Sequence, residues 1–515
     1  MTTDPTAGTD PADGDDGNGA GGDPPGAYGD LVERVRRIGN VGNAAGLLSW
    51  DQQVMMPEGG TPARSQQLSA LSAVRHDLLT DDDLAALLDA VEGDVDGERA
   101  ALVREVRRDH ERAVRVPTDL VERISAASSE ALPAWREAKE AADFDAFAPH
   151  LRELVDLKRR YAEHVDPARD PYEVLFEEYE PCLPLDRAEA VLADLREAIP
   201  PLVADVRASD ADLADPFAGT YDTGAQEAMV RDALDLLGYP WERGRLDTAP
   251  HPFSMGTVYD ARIATRFDES NPLDALSSTI HEFGHASYTL GLPEAHYATP
   301  LGEARNLSIH ESQSRLWENH VGRSRAFLDR FLPTMREHLA LDATTEAVYE
   351  AANRVHEDNV IRVEADELTY HLHIVLRFEI ERDLIRGDLD VAEVPAVWHD
   401  RMDEYLGVTP DDDGEGALQD VHWAHGSFGY FPTYSLGSVV AAQLYAAAER
   451  EVDDLAAAVR EGNVDPLRSW LRDRVHRHGK RYETGELVRR ATGEAVSADR
   501  FVDYATEKFG ALYDL

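Results

Sequence analysis

Two histidines stand four residues apart in SSTIHEFGHASYT, residues 277–289, with a glutamate directly after the first. On a helix this spacing puts His281 and His285 on one face, about one turn apart, where two imidazoles can bind one tetrahedral Zn²⁺. Glu282 lies about 100° round the helix from His281. It is poorly placed as a ligand at the same point, and well placed to take a proton from a water in front of the metal. The plain alternative is two core histidines hydrogen-bonded to their neighbours. The helix has marked ends: Asn271 can cap it, Pro272 suits its first turn, and Gly291 can close it. Gly284 leaves space for a neighbouring chain or a ligand to pass close by. Zinc needs a third protein ligand. Glu303 and Glu311 stand on the next helical segment, and spacing alone leaves the choice between them open.

The elements that must hold these residues are mostly helices. Apolar residues recur every three or four positions over 31–49, 65–92, 98–126, 128–142, 144–164, 185–207 and 224–237. They do so again over 272–290, 303–338, 344–386, 391–407, 434–461, 465–478, 484–491 and 497–511, with Pro, Gly or Asp between segments. No repeat of fixed period is present. One region departs from this. Residues 253–267, FSMGTVYDARIATRF, are rich in β-branched and aromatic residues and alternate in part, which predicts one or two strands just before the histidine helix. A strand there is either a structural hairpin or a rail on which an extended peptide pairs through its main chain. The expectation is a mainly α protein with a small antiparallel sheet.

The chain has 515 residues, 43% of them hydrophobic, which is ample for a large core. It carries 99 acidic against 51 basic residues, a formal net charge of -48, and only four lysines. Such a surface repels phosphate backbones and anionic lipid, so nucleic-acid and membrane partners are not expected. An acid excess spread over the whole chain fits a protein adapted to high salt, where self-repulsion is screened. The single cysteine, Cys182, allows no internal disulfide and points to a reducing, cytoplasmic setting. No apolar run approaches the length of a membrane span. Residues 1–26 read as a disordered Gly/Pro/Asp-rich tail with neither the basic start nor the apolar stretch of a secretory signal, and 27–515 as the folded domain. The GNGAGG in that tail lacks the flanking strand and helix of a phosphate loop.

Five motifs in order make the chain resemble the carboxypeptidase Taq (M32) metallocarboxypeptidases from about residue 28 to its end. They are DARIAT at 260–265, HEFGH at 281–285, HESQ at 310–313, IRVEADE at 361–367 and GALQDVHW at 416–423. The resemblance implies a helical fold similar to neurolysin and angiotensin-converting enzyme, with a deep groove and a small sheet along it. It implies Glu311 as the third metal ligand beside His281 and His285, and Glu282 as the general base. It also implies zinc or cobalt, one ion per chain, homodimers, and release of single C-terminal residues from peptides with broad specificity.

A C-terminal exopeptidase must recognise a free carboxylate, and arginine does so best through its planar fork. Arg262 in DARIAT and Arg362 in IRVEADE fit this task, in preference to the plainer reading of each as a structural ion pair. The oxyanion formed during hydrolysis needs a donor, and the stretch 425–434 offers His425, Tyr430 and Tyr434. His422 is a weaker candidate for orienting a ligand. His371 and His373, two apart on a helix, point different ways and are not expected to bind metal. The basic run 474–481 is expected to meet acidic neighbours. The rivals to this reading are an oligoendopeptidase or dipeptidyl carboxypeptidase on the same fold, and a non-catalytic helical binding protein.

Overall fold

The computed structural model describes residues 26–356 and 359–515. The expected tail therefore lies, but for its last residue, outside the described residues. The chain opens with helices α1 (Ala27–Val54), α2 (Thr61–Thr80), α3 (Asp82–Val91) and α4 (Gly97–Arg115), then α5 (Thr118–Ala141), α6 (Phe144–Val165), α7 (Pro171–Phe176), α8 (Leu185–Ala208) and α9 (Thr223–Leu237). Strands β1 (Leu246–Thr248), β2 (Phe253–Thr257) and β3 (Asp260–Thr265) follow. The rest is helical again: α10 (Pro272–Gly291), α11 (Leu307–Arg315), α12 (Arg325–Leu339), α13 (Thr345–Ala352), α14 (Tyr370–Arg386), α15 (Val394–Leu406), α16 (Pro432–Glu451), α17 (Leu455–Arg460), α18 (Asp465–Arg474), α19 (Thr484–Thr492) and α20 (Asp499–Tyr513).

The acid excess has a local use. Asp81, Asp143, Asp170 and Asp222 each accept a hydrogen bond from a backbone N–H in the first turn of α3, α6, α7 and α9, satisfying donors that a helix start otherwise leaves open. Several expected helices divide at such signals. The 65–92 segment breaks at Asp81, and α4 gives way to α5 at Val116 and Pro117 rather than near 127. The 344–386 segment opens into a loop between α13 and α14. Asp366 knots that loop by accepting from the backbone N–H groups of His356, Leu368 and Thr369. Strand β1 and helix α7 were not legible, being only 3 and 6 residues long.

The sheet runs in the order β1-β3-β2. The β2–β3 hairpin is antiparallel, as the alternation predicts, with Ser254 opposite Ile263 and Met255 opposite Arg262. The small antiparallel sheet expected from sequence is this hairpin, and β1 extends it by pairing parallel to β3. The chain reverses twice between β1 and β3, so the returning strand inserts beside β1 in its own direction. β2 is thus an edge strand.

One large apolar core joins helices from α5 to α20, among them Phe147, Leu151, Tyr172, Phe283, Trp317, Trp398 and Leu436. Each such side chain contributes about 1.5–3 kcal/mol when fully buried. A smaller cluster ties α1, α3 and α4 to Leu301, and Trp50 of α1 packs on Phe253 of β2 with ring centroids 4.9 Å apart. The bidentate, fully buried pair of Arg305 with Glu105 of α4 (2.7 and 2.8 Å) fastens these N-terminal helices to the segment between α10 and α11. Among the described residues no helix is long and apolar enough to cross a membrane.

Candidate metal centre

Helix α10 starts as its sequence demands, with the Asn271 side chain accepting from Asp274 N–H and Pro272 in the first turn. Its Gly284 lets α11 press against it: a Cβ there would stand 2.5 Å from the Gln313 carbonyl oxygen and 2.6 Å from Ser314 Cα. Gly437 does the same on the other side, where a Cβ on α16 would meet Glu311 Cγ at 2.5 Å. Glu311 is therefore wedged between α10 and α16, on the side facing the two histidines. Gly291 is the last helical residue, and its lack of a side chain admits the His476 ring.

His281, His285 and Glu311 offer ligand atoms that all lie within 4.8 Å of one another. Nε2 of His281 is 3.7 Å and Nε2 of His285 3.5 Å from Glu311 Oε2. These separations are too long for hydrogen bonds. They are close to the ~3.3 Å edge of a tetrahedron with metal bonds of about 2.0 Å. The other ring nitrogens are already engaged. His281 Nδ1 is 2.9 Å from Glu318 Oε2, and His285 Nδ1 is 3.1 Å from the His310 carbonyl oxygen. With its Nδ1–H donating to Glu318, the His281 Nε2 lone pair is turned toward Glu311, an arrangement that orients metal-binding imidazoles; His285 Nδ1 also stands 2.5 Å from His310 Nδ1. Arg315 donates from Nε to Glu311 Oε1 at 2.8 Å, leaving Oε2 toward the histidines. The donor set and its spacing fit a divalent ion.

Glu318 comes from a π-helical turn, Leu316–Gly322, that continues α11. Such turns recur at functional sites because the widened backbone re-aims side chains. Arg315 (3.3 Å) and Arg323 (2.6 Å) both hold it. Burial pushes the carboxyls of Glu311 and Glu318 up, but the adjacent arginines and histidines outweigh this and hold both well below the ordinary range. Glu282 is buried, and burial raises its carboxyl pKa against the pull of His281 and His285. Its Oε2 has no hydrogen-bond partner among the described residues, and it faces the same cleft. Burial also keeps His310 neutral, lowered to about 3.

The cleft, of about 380 Å³, is walled by Phe253 and Ser254 of β2 on one side and by Tyr430, Thr433 and Tyr434 on another. The two tyrosine rings sit 5.3 Å apart, and burial raises both phenol pKa values, so both remain hydroxyl donors. The other expected site residues are distributed differently. His425 is exposed and does not line this cleft; it closes a short 3₁₀ turn, and its carbonyl accepts from Ser128. Glu303 pairs with Lys480 (2.6 Å), away from the histidines. Arg262 forks onto Asp260 (2.6 and 2.9 Å) and lines a neighbouring groove with Trp50, Met255 and Tyr259. Arg362 is buried, forks onto Asp420 (2.7 and 3.1 Å), donates to the Tyr370 hydroxyl (3.0 Å) and lies over the Tyr434 ring at 5.4 Å. His422 packs on Phe431 and Tyr430. His371 bonds Ser435 and His373 the Asn359 carbonyl, in different directions. The basic run finds acids within the chain: Arg474 with Glu451, Lys480 with Glu303, and Arg481 with Glu98. Sequence reasoning missed Glu318, Arg315 and Tyr370. The only signal for the first two was their helical spacing from Glu311.

The model of the carboxypeptidase Taq (M32) metallopeptidases matches residues 30–509. Over 511 residues the chain is 38% identical to thermostable carboxypeptidase 1 of Thermus thermophilus, covering 95% of this chain and 99% of that one. It is 33% identical to carboxypeptidase 1 of Bacillus subtilis over 94% of this chain and 98% of that one. Among solved structures, the M32 carboxypeptidase from Deinococcus radiodurans aligns with a TM-score of 0.91 at 38% identity, over 95% of this chain and all of that one. The carboxypeptidase of Pyrococcus furiosus also gives 0.91, at 35% identity over 94% and 99% of the two chains. With its histidines and Glu311 gathered as a candidate metal site, the chain belongs to the carboxypeptidase Taq (M32) metallopeptidase family and is a metallocarboxypeptidase, a peptide hydrolase.

Proposed function

We propose that the chain is a zinc-dependent enzyme, with cobalt as a workable substitute, that removes single residues from peptide C-termini with broad specificity. His281, His285 and Glu311 hold the ion. A divalent ion bound there supplies Lewis-acid polarisation of the scissile carbonyl and lowers the pKa of a nearby water. Glu282 takes the proton from the attacking water and delivers it to the leaving amine. Its buried, unpartnered Oε2 and raised pKa suit a group that must hold and release one proton. Tyr430 and Tyr434 offer hydroxyl donors for the oxyanion. The edge strand β2 offers main-chain pairing to the peptide. Arg362 binds the terminal carboxylate. The observation that carries this assignment is its position behind Tyr434 with its fork only partly used.

The cytoplasmic setting, the homodimer, the salt adaptation and the single catalytic unit over 27–515 remain part of the proposal, carried by composition and resemblance. The test is metal analysis of the purified chain with timed product identification on a mixed peptide. Zinc at one per chain and single C-terminal residues appearing in order support the reading. Dipeptide products, or equal cleavage of amidated peptides, overturn it in favour of the endopeptidase-like rivals.

A further inference from the structure

Arg362 does not stand alone. Its Nε and Nη2 are held by Asp420, and the other oxygen of that carboxylate, Oδ2, accepts from Arg377 Nε at 2.6 Å. Arg377 is fully buried, donates from Nη1 to the His373 carbonyl (2.8 Å) and lies over the Trp398 ring at 4.6 Å. Its Nη2 has no partner among the described residues. Two guanidinium groups against one carboxylate leave this cluster one positive charge in excess, in a place with little water to offset it. Glu381, on the same helix α14, is engaged by Trp423, Tyr172 and the Gly429 amide rather than by either arginine. Arg362 retains one free N–H on each Nη. This is the edge that a carboxylate grips in bidentate fashion.

Resting on the reading of Arg362 above, we infer that Asp420 and Arg377 are positioning residues that present the Nη edge of Arg362, and the cluster's excess positive charge, to the peptide's terminal carboxylate. Asp420 fixes the plane of the fork by occupying its inner edge. Arg377 fixes Asp420 and restores the charge that Asp420 alone would cancel. The substrate carboxylate then completes a two-cation, two-anion cluster.

The test is steady-state kinetics of the full-length, metal-loaded enzyme on a short peptide with a free C-terminus, for Asp420→Asn, Arg377→Met and Arg362→Met. Both positioning variants should raise KM by about tenfold, with kcat changed less than KM and metal content unaltered. A merely structural role would lower the melting temperature or kcat and leave KM in place. If Asp420→Asn does not fold, Arg377→Met decides. A rise in KM of threefold or less in the variants that fold overturns the inference. If Arg362→Met also leaves KM unmoved, the assignment of Arg362 itself is wrong. If Arg362→Met raises KM and the other two do not, only the positioning role is lost.

Discussion

The metal cleft and the groove beside it share strand β2: Phe253 and Ser254 face the first, Met255 and Thr257 the second. The groove is lined by one arginine forked onto an aspartate, Arg262, and a second, Arg362, stands behind the cleft's Tyr434; both come from motifs that read as substrate-binding. The pairs differ in what lies behind them. Asp260 is 48% exposed and holds Arg262 alone, whereas Asp420 is 12% exposed and is itself clamped by Arg377. An exposed pair of opposite charges is already neutral and well solvated, and it gains little from a further anion. A buried pair backed by a second cation is unbalanced until an anion arrives. On the proposed reading, what would make an arginine a carboxylate receptor is the charge of its surroundings, more than the motif that carries it.

This contrast can be broken at four points. Glu282→Gln in the cleft should keep the metal and cut kcat by about 10³-fold, measured against metal content; unchanged turnover would remove Glu282 as the base. Arg362→Met should lower kcat/KM by about 10²-fold on peptides with a free C-terminus, read as initial rates at low substrate. Glu318→Gln should weaken zinc binding by about 10–100-fold, because His281 loses the carboxylate that orients it; competition with a chelator measures this without any turnover. Arg262→Met in the groove should change kcat/KM on a blocked dipeptide by less than about threefold. A loss there as large as at Arg362 would erase the distinction between the two regions.

The sequence made one half of the site plain and left the other obscure for physical reasons. His281, Glu282 and His285 share one helix, so a spacing rule sufficed, and the cap at Asn271 fixed where that helix starts. Glu311 lies on the next helix, and spacing could not choose it over Glu303. The choice depends on how closely α10, α11 and α16 approach, which two glycines decide. His425 was placed with Tyr430 and Tyr434 because they are near in sequence. A short 3₁₀ turn and Gly426 with φ 70° carry His425 outward before the tyrosines turn in. The strands at 253–257 and 260–265 were legible from β-branched alternation, while three-residue β1 gave no pattern to read. The helical segments were right in kind and wrong at the joints, where Asp81, Pro117 and the Asp366 knot interrupt the apolar periodicity.

Gly437 belongs to a helix with no member of the candidate metal group, yet its missing side chain is what allows Glu311 to stand where it does. The reach of the proposed third ligand is therefore gauged by a spacer on a different element. A methyl group at 437 would displace Glu311 as a unit, enlarging or skewing the coordination sphere while every named donor stays in the chain. Selectivity among ions of different radius can in this way be tuned from a residue that no motif search would mark as metal-binding.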